Sequence, residues 1–201
     1  MRTFATISLC VLTLASGGAD PLAGQAGEEP FDLLIVGARV IDGTGNPWHY
    51  ADVGIRDGRI ARVREVLGGA PAARTIDATG RYVVPGFIDL HSHAGDSGEG
   101  SRGLTDPDPR YRAAPGLVSQ GLTTLVANQD GGGPWPIGEQ LAALRELGTG
   151  PNTIVLVGHG TVRSEVMGDD HRREATPAEI DRMKALVRRG MEEGAWGLSG
   201  G

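Results

Sequence analysis

The rhythm of apolar and polar positions changes near Pro85. Between Phe31 and Val84, short runs alternate apolar with polar residues and are separated by Gly, Asn, Asp and Pro. A period of two puts one side of each run on a core, so these runs are predicted to be strands. Residues 31–36 and 39–42 flank Gly37, residues 43–47 are a loop, and residues 52–56 and 59–63 form a hairpin about Asp57-Gly58. That pair accepts the positive φ angles of a type I′ turn. Residues 75–78 and 82–84 complete this small β region.

Past Pro85 the apolar runs become continuous, at residues 86–91, 121–127 and 152–158. Continuous runs are expected of parallel strands covered on both faces. Helical spacing lies between them. Ile137, Leu141, Leu144 and Leu147 predict a helix over 137–147. Thr176-Pro177-Ala178-Glu179 is a capping box with proline at the first helical position. It opens a helix whose apolar side carries Ile180, Met183, Leu186, Val187 and Met191 and which ends at Gly194. Residues 195–199 read as a fourth strand. Strand and helix in alternation indicate an α/β fold with a parallel sheet. Residues 85–201 supply three to four such units, fewer than an eightfold barrel needs. The chain is therefore expected to be the N-terminal part of a longer protein.

The first 26 residues are expected to stand apart from the fold. Arg2 precedes an apolar run over residues 4–15, followed by small residues with cleavage points after Ala19 or Ala26. This is the pattern of a secretory signal peptide, too short to span a bilayer. The expectation is export to the periplasm or the exterior, with no stable membrane anchor. The domain reading is 1–26 leader, 27–84 small β part and 85–201 α/β part.

Composition removes several function classes. Nineteen Lys and Arg against 25 Asp and Glu leave a net charge of −6. An acidic chain without a basic patch argues against nucleic acid as a partner. Cys10 is the single cysteine, which excludes a disulfide scaffold and a cysteine-based zinc site. An exported chain without disulfides needs a large core or a metal for rigidity.

The chemistry concentrates in Pro85-Gly86-Phe87-Ile88-Asp89-Leu90-His91-Ser92-His93. Side chains alternate along a strand, so His91 and His93 face the same way. At the C-terminal end of a parallel strand, two imidazoles can share one divalent metal, and neutral nitrogen donors suit Zn²⁺. A bare His-x-His is weak evidence. Its setting, a strand end followed by a Gly-, Ser- and Asp-rich loop, strengthens it.

The stretch 84–93, preceded by Asp32-Leu33-Leu34-Ile35 and Asp57-Gly58-Arg59-Ile60, resembles the amidohydrolase superfamily. Gln120-Gly121-Leu122-Thr123-Thr124, Val157-Gly158-His159-Gly160-Thr161-Val162-Arg163, Arg173-Glu174-Ala175-Thr176-Pro177 and Gly194-Ala195-Trp196-Gly197-Leu198-Ser199 narrow the resemblance to the N-acyl-D-amino-acid deacylases, or D-aminoacylases. The resemblance implies a small β-sandwich joined to a metal-dependent-hydrolase (β/α)8 TIM-like barrel. It implies one or two Zn²⁺ ions and attack of zinc-activated water on the carbonyl of a linear amide such as an N-acyl amino acid. His91 and His93 take the part of the first-strand metal ligands. The remaining ligands and the catalytic aspartate are expected beyond Gly201, so residues 1–201 alone are expected to be inactive and poorly soluble.

One departure stands out. D-aminoacylases commonly carry a metal-binding cysteine after the second strand, and Gln129 falls at that position in Ala127-Asn128-Gln129-Asp130-Gly131. Either Asp130 substitutes, or the site holds one metal, or the substrate class differs; Asp130 is equally read as a cap on the glycine-rich turn. His159, taken to end the third strand, and Arg163, able to pair with a substrate carboxylate, are weaker candidates for contact with metal or substrate. A cyclic-amide hydrolase of hydantoinase or dihydroorotase type and a non-catalytic secreted metal-binding module are the alternatives.

Overall fold

The computed structural model describes residues 29–94 and 103–201. The expected signal peptide lies outside the described residues. The chain divides after Val84 into two compact units. Among the described residues, no helix is long and apolar enough to cross a membrane.

The first unit is one mixed sheet. Strands β1 (Phe31–Val40), β2 (His49–Arg56), β3 (Arg59–Arg64) and β4 (Ala72–Asp77) lie in the order β3-β2-β1-β4, and β5 (Tyr82–Val83) also pairs with β1. The β1–β2 and β2–β3 pairs are antiparallel; β4 and β5 run parallel to β1. The Asp57-Gly58 turn forms as predicted, with φ of 51° and 67°.

The two strands expected on either side of Gly37 are one strand. The pairing with β2 shifts register between Ile35 and Ala38, and Gly37 sits in that bulge at φ 71°. Its N–H donates to Asp52 Oδ1 at 2.8 Å, and Asp52 Oδ2 accepts from Leu67 N and Gly68 N. Asp52 is buried, and three backbone N–H groups satisfy its carboxyl oxygens. The bulge therefore kinks the strand without ending it. Phe31, Leu34, Ala38, Val40, Ala51 and Val53 are buried in this unit.

The second unit is parallel. Strands β6 (Phe87–Asp89), β7 (Leu122–Ala127) and β8 (Asn152–Val155) pair in that order, and β9 (Val157–Gly158) pairs with β10 (Leu198–Ser199). The short helices α1 (Pro109–Arg112) and α2 (Pro115–Val118) precede β7; α3 (Ile137–Leu147) follows it, and α4 (His159–Met167) and α5 (Pro177–Glu193) lie between β9 and β10. Leu125, Ile137, Leu144, Val155, Val157, Val162 and Met183 form the centre of the core.

Helix α5 begins as its sequence requires. Thr176 Oγ1 accepts from Glu179 N at 3.3 Å, and the Glu179 carboxylate accepts from Thr176 N at 2.8 Å. Met183 is buried, while Ile180 and Met191 at the ends of the expected stripe are exposed.

Three further expectations are corrected. The run 152–158 is not one strand, because it breaks at Leu156. Leu156 N donates to Ala127 O, and Leu156 O accepts from Asn128 Nδ2, so the chain changes partners from β7 to β10 at this residue. His159 does not end a strand but starts α4. Among the described residues strand β6 is not covered on both faces: Phe87, Ile88 and Leu90 are exposed, and β6 is an edge of its three-stranded sheet.

Candidate metal centre

Strand β6 stops at Asp89, yet the alternation of its side chains continues. Asp89 Oδ1 accepts from His91 N at 3.1 Å, and Ser92 N donates to Val126 O at 3.0 Å. The second bond carries the pairing with β7 three residues past the strand. Ser92 is buried, and His91 and His93 are exposed on either side of it. The two imidazoles consequently share a face, with ring centroids 5.3 Å apart and planes tilted by 57°.

The loop after β7 brings the third group. Asp130 Oδ1 lies 3.6 Å from His91 Nε2, and Asp130 Oδ2 lies 3.3 Å from His93 Nε2. One donor atom from each of His91, His93 and Asp130 falls within 4.8 Å of the other two. All three side chains are between 54% and 60% exposed, so the cluster is open to a ligand arriving from solvent. Two imidazole nitrogens and a carboxylate are a donor set that zinc-type divalent ions accept. The residues present therefore fit a metal.

The loop is held by its neighbours. Asn128 and Asp130 adopt positive φ, 66° and 56°. Asn128 Nδ2 donates to Gln140 Oε1 and to Leu156 O, both at 2.9 Å, and its backbone carbonyl accepts from Ser199 Oγ at 2.6 Å. Gly131 O accepts from Thr161 N at 3.1 Å. That contact satisfies one of the free N–H groups at the start of α4, where the N-cap residue Gly158 has no side chain to do so. Gly158 is also required sterically, since a Cβ there would stand 2.5 Å from Gly131 O.

The other sequence candidates are placed elsewhere. Gln129 Nε2 donates to Leu90 O at 3.0 Å and to Val126 O at 2.9 Å. His159, exposed at the first position of α4, lines an open groove of about 700 Å³ between α4 and α5. Arg163 Nη2 donates to His171 O at 2.6 Å and to Arg173 O at 2.8 Å, which ties down the loop after α4. Neither belongs to the His91, His93 and Asp130 group. The sequence reading missed Asn128 and Gln140. Gln140 lies in the first turn of α3, buried alongside Ile137 and Leu144, and a polar residue on an apolar stripe was the available signal.

Comparison with known proteins identifies the family. The model of the amidohydrolase family matches residues 74–201. A D-aminoacylase of Alcaligenes xylosoxydans xylosoxydans is 34% identical over 88% of this chain and 39% of its own length. An N-acyl-D-glutamate deacylase from the same organism is 37% identical over 87% of this chain and 38% of its own. The crystal structure of N-acyl-D-glutamate deacylase from Bordetella bronchiseptica, complexed with zinc and a phosphonate inhibitor, superposes with a TM-score of 0.75. It is 33% identical, over 86% of this chain and 39% of that one. The chain thus spans about two-fifths of the length of these relatives. The matched family model, over a segment that contains both histidines and Asp130, establishes that the chain belongs to the amidohydrolase family.

Proposed function

We propose that this chain carries the first metal ligands of a hydrolase that removes the acyl group from N-acyl-D-amino acids, a linear amide substrate. The convergence of His91, His93 and Asp130 within 4.8 Å carries this reading. The 34% and 37% identity to two D-amino-acid deacylases supports the substrate class. His91 and His93 hold the ion, zinc by the chemistry of their nitrogen donors. A bound ion supplies Lewis acidity at the amide carbonyl and lowers the pKa of water. Asp89 orients the turn into His91 through the backbone, and Ser92 locks the segment to β7, so both rings are preset for ligation. The parallel unit is then the opening part of a (β/α)8 barrel, and the five-stranded sheet part of a small β-sandwich. The residue 1–26 pattern directs the protein out of the cytoplasm.

The test uses the complete gene product, stripped and reloaded with zinc. The expected result is hydrolysis of N-acetyl-D-amino acids, with metal uptake and turnover both lost in His91→Ala and His93→Ala. The loss should exceed the roughly 10–100-fold typical of outer-sphere partners. Turnover of hydantoin or dihydroorotate in place of the N-acyl substrates overturns the substrate class. Unchanged hydrolysis in the double alanine variant overturns the metal-dependent reading.

A further inference from the structure

Gln129 and Asp130 are neighbours in sequence, but their side chains leave the loop in different directions. A primary amide nitrogen has two protons, and Gln129 Nε2 has two acceptors, Leu90 O and Val126 O. Leu90 immediately precedes His91, and Val126 also receives Ser92 N. Gln129 therefore clips the exit of β6 onto β7, with its donor capacity used by backbone. Asp130 turns instead towards the imidazoles and offers one oxygen to each, at 3.6 and 3.3 Å. The divergence has a backbone cause. Residues on both sides of the Gln129 Cα, Asn128 and Asp130, are in the left-handed region. Non-glycine residues rarely hold that conformation unless the surroundings determine it. Here the surroundings are the Asn128–Gln140 amide pair and the Gly131–Thr161 contact.

Resting on the metal-dependent reading above, we propose that Asp130 is the third ligand of the centre, while Gln129 stays outside the coordination sphere and holds the two strand ends together. Gln129 is thus a structural clip between strand ends, and the carboxylate that faces the imidazoles stands one residue further along the chain. The donors that His91, His93 and Asp130 supply are nitrogen and oxygen only. Such a set favours zinc, manganese and cobalt over soft ions that thiolates select.

The experiment places a cysteine at position 130 of the complete gene product, as Asp130→Cys, and loads it with Co²⁺ after removal of the native metal; Gln129→Leu, which deletes the amide, tests the clip. A thiolate bound to Co²⁺ gives a sulfur-to-metal charge-transfer band; a thiol outside the coordination sphere gives none. The band is expected in Asp130→Cys and absent from the parent protein, while Gln129→Leu is expected to lower the urea midpoint by losing the bonds to Leu90 O and Val126 O and still to bind Zn²⁺. Asp130→Asn, nearly the same shape, is expected to weaken Zn²⁺ binding about tenfold or more in a direct titration, with an unchanged circular dichroism spectrum. No band in Asp130→Cys, loss of Zn²⁺ binding in a folded Gln129→Leu, or parent-like Zn²⁺ affinity in Asp130→Asn overturns the assignment and leaves the metal-dependent reading standing. A parent protein that takes up no metal, or that keeps its metal when His91 and His93 are both alanine, overturns that reading and the assignment with it.

Discussion

Asn128 and Gln140 exchange two hydrogen bonds inside the α/β unit, Nδ2 to Oε1 at 2.9 Å and Nε2 to Oδ1 at 3.0 Å, with both side chains buried. The pair joins the start of the metal loop to the first turn of α3. Gln140→Leu leaves the Asn128 amide oxygen buried without that donor. The expected cost is about 1–3 kcal/mol, the usual penalty for an unsatisfied buried polar group. Because Asn128 sets the loop that carries Asp130, metal affinity is expected to fall although no ligand has changed. Urea denaturation and metal titration of the variant measure both effects; a parent-like urea midpoint would show that the pair contributes nothing.

Gly158 permits the same loop to reach α4. Gly158→Ala sets a methyl group 2.5 Å from Gly131 O, a backbone atom that cannot move aside without shifting the loop. A stability loss of about 1–3 kcal/mol is expected, the range for an overpacked site. Gly132→Ala is the control, since its added methyl would stand 3.8 Å from its nearest neighbour, Gln129 O. Equal melting temperatures for the two variants would refute the close-approach argument.

Acid should weaken the attachments of α5. The Glu179 carboxyl is held well below its ordinary value of 4.5, first by Arg173 and then by the Thr176 backbone. Glu193 is lowered too, chiefly by the Gly138 N–H at the start of α3, with Arg189 adding to it. A carboxylate depressed in the folded state stabilises it fully above the unfolded value. That contribution is lost as pH falls through the folded value. Stability is therefore expected to be insensitive to these two groups at neutral pH and to decline below about pH 4.5, as unfolded glutamates begin to protonate. Urea midpoints from pH 7 to pH 3 should show a shallower acid decline in the Glu179→Gln, Glu193→Gln double variant. An identical decline in parent and variant rules out both carboxylates as its source.

Much of the architecture was readable because the relevant signals are local. The capping box at Thr176 and Glu179, the Asp57-Gly58 turn and the 137–147 helix each need only neighbouring residues, and each forms where expected. Helix α4 was not readable. Its N-cap Gly158 carries no capping side chain, and one of its first N–H groups is satisfied by Gly131 O from another loop. The break at Leu156 was hidden for a similar reason, since an apolar run does not reveal a change of pairing partner. Gly37 misled in the opposite sense. A glycine between two apolar runs reads as a boundary, whereas Asp52, far along the chain, turns it into a bulge within β1.

The metal cluster divides along the same line. Period-two alternation by itself put His91 and His93 on one face, because side-chain direction on an extended segment depends only on parity. Nothing local decides whether Asp130 joins them, or whether Gln129 does. That choice belongs to the tertiary structure: the Asn128–Gln140 pair, the Gly131 carbonyl on α4 and the Gln129 bonds to Leu90 and Val126 are contacts between separate elements. Left-handed backbone at Asn128 and Asp130 persists only with that support, and it turns one carboxylate towards both imidazoles.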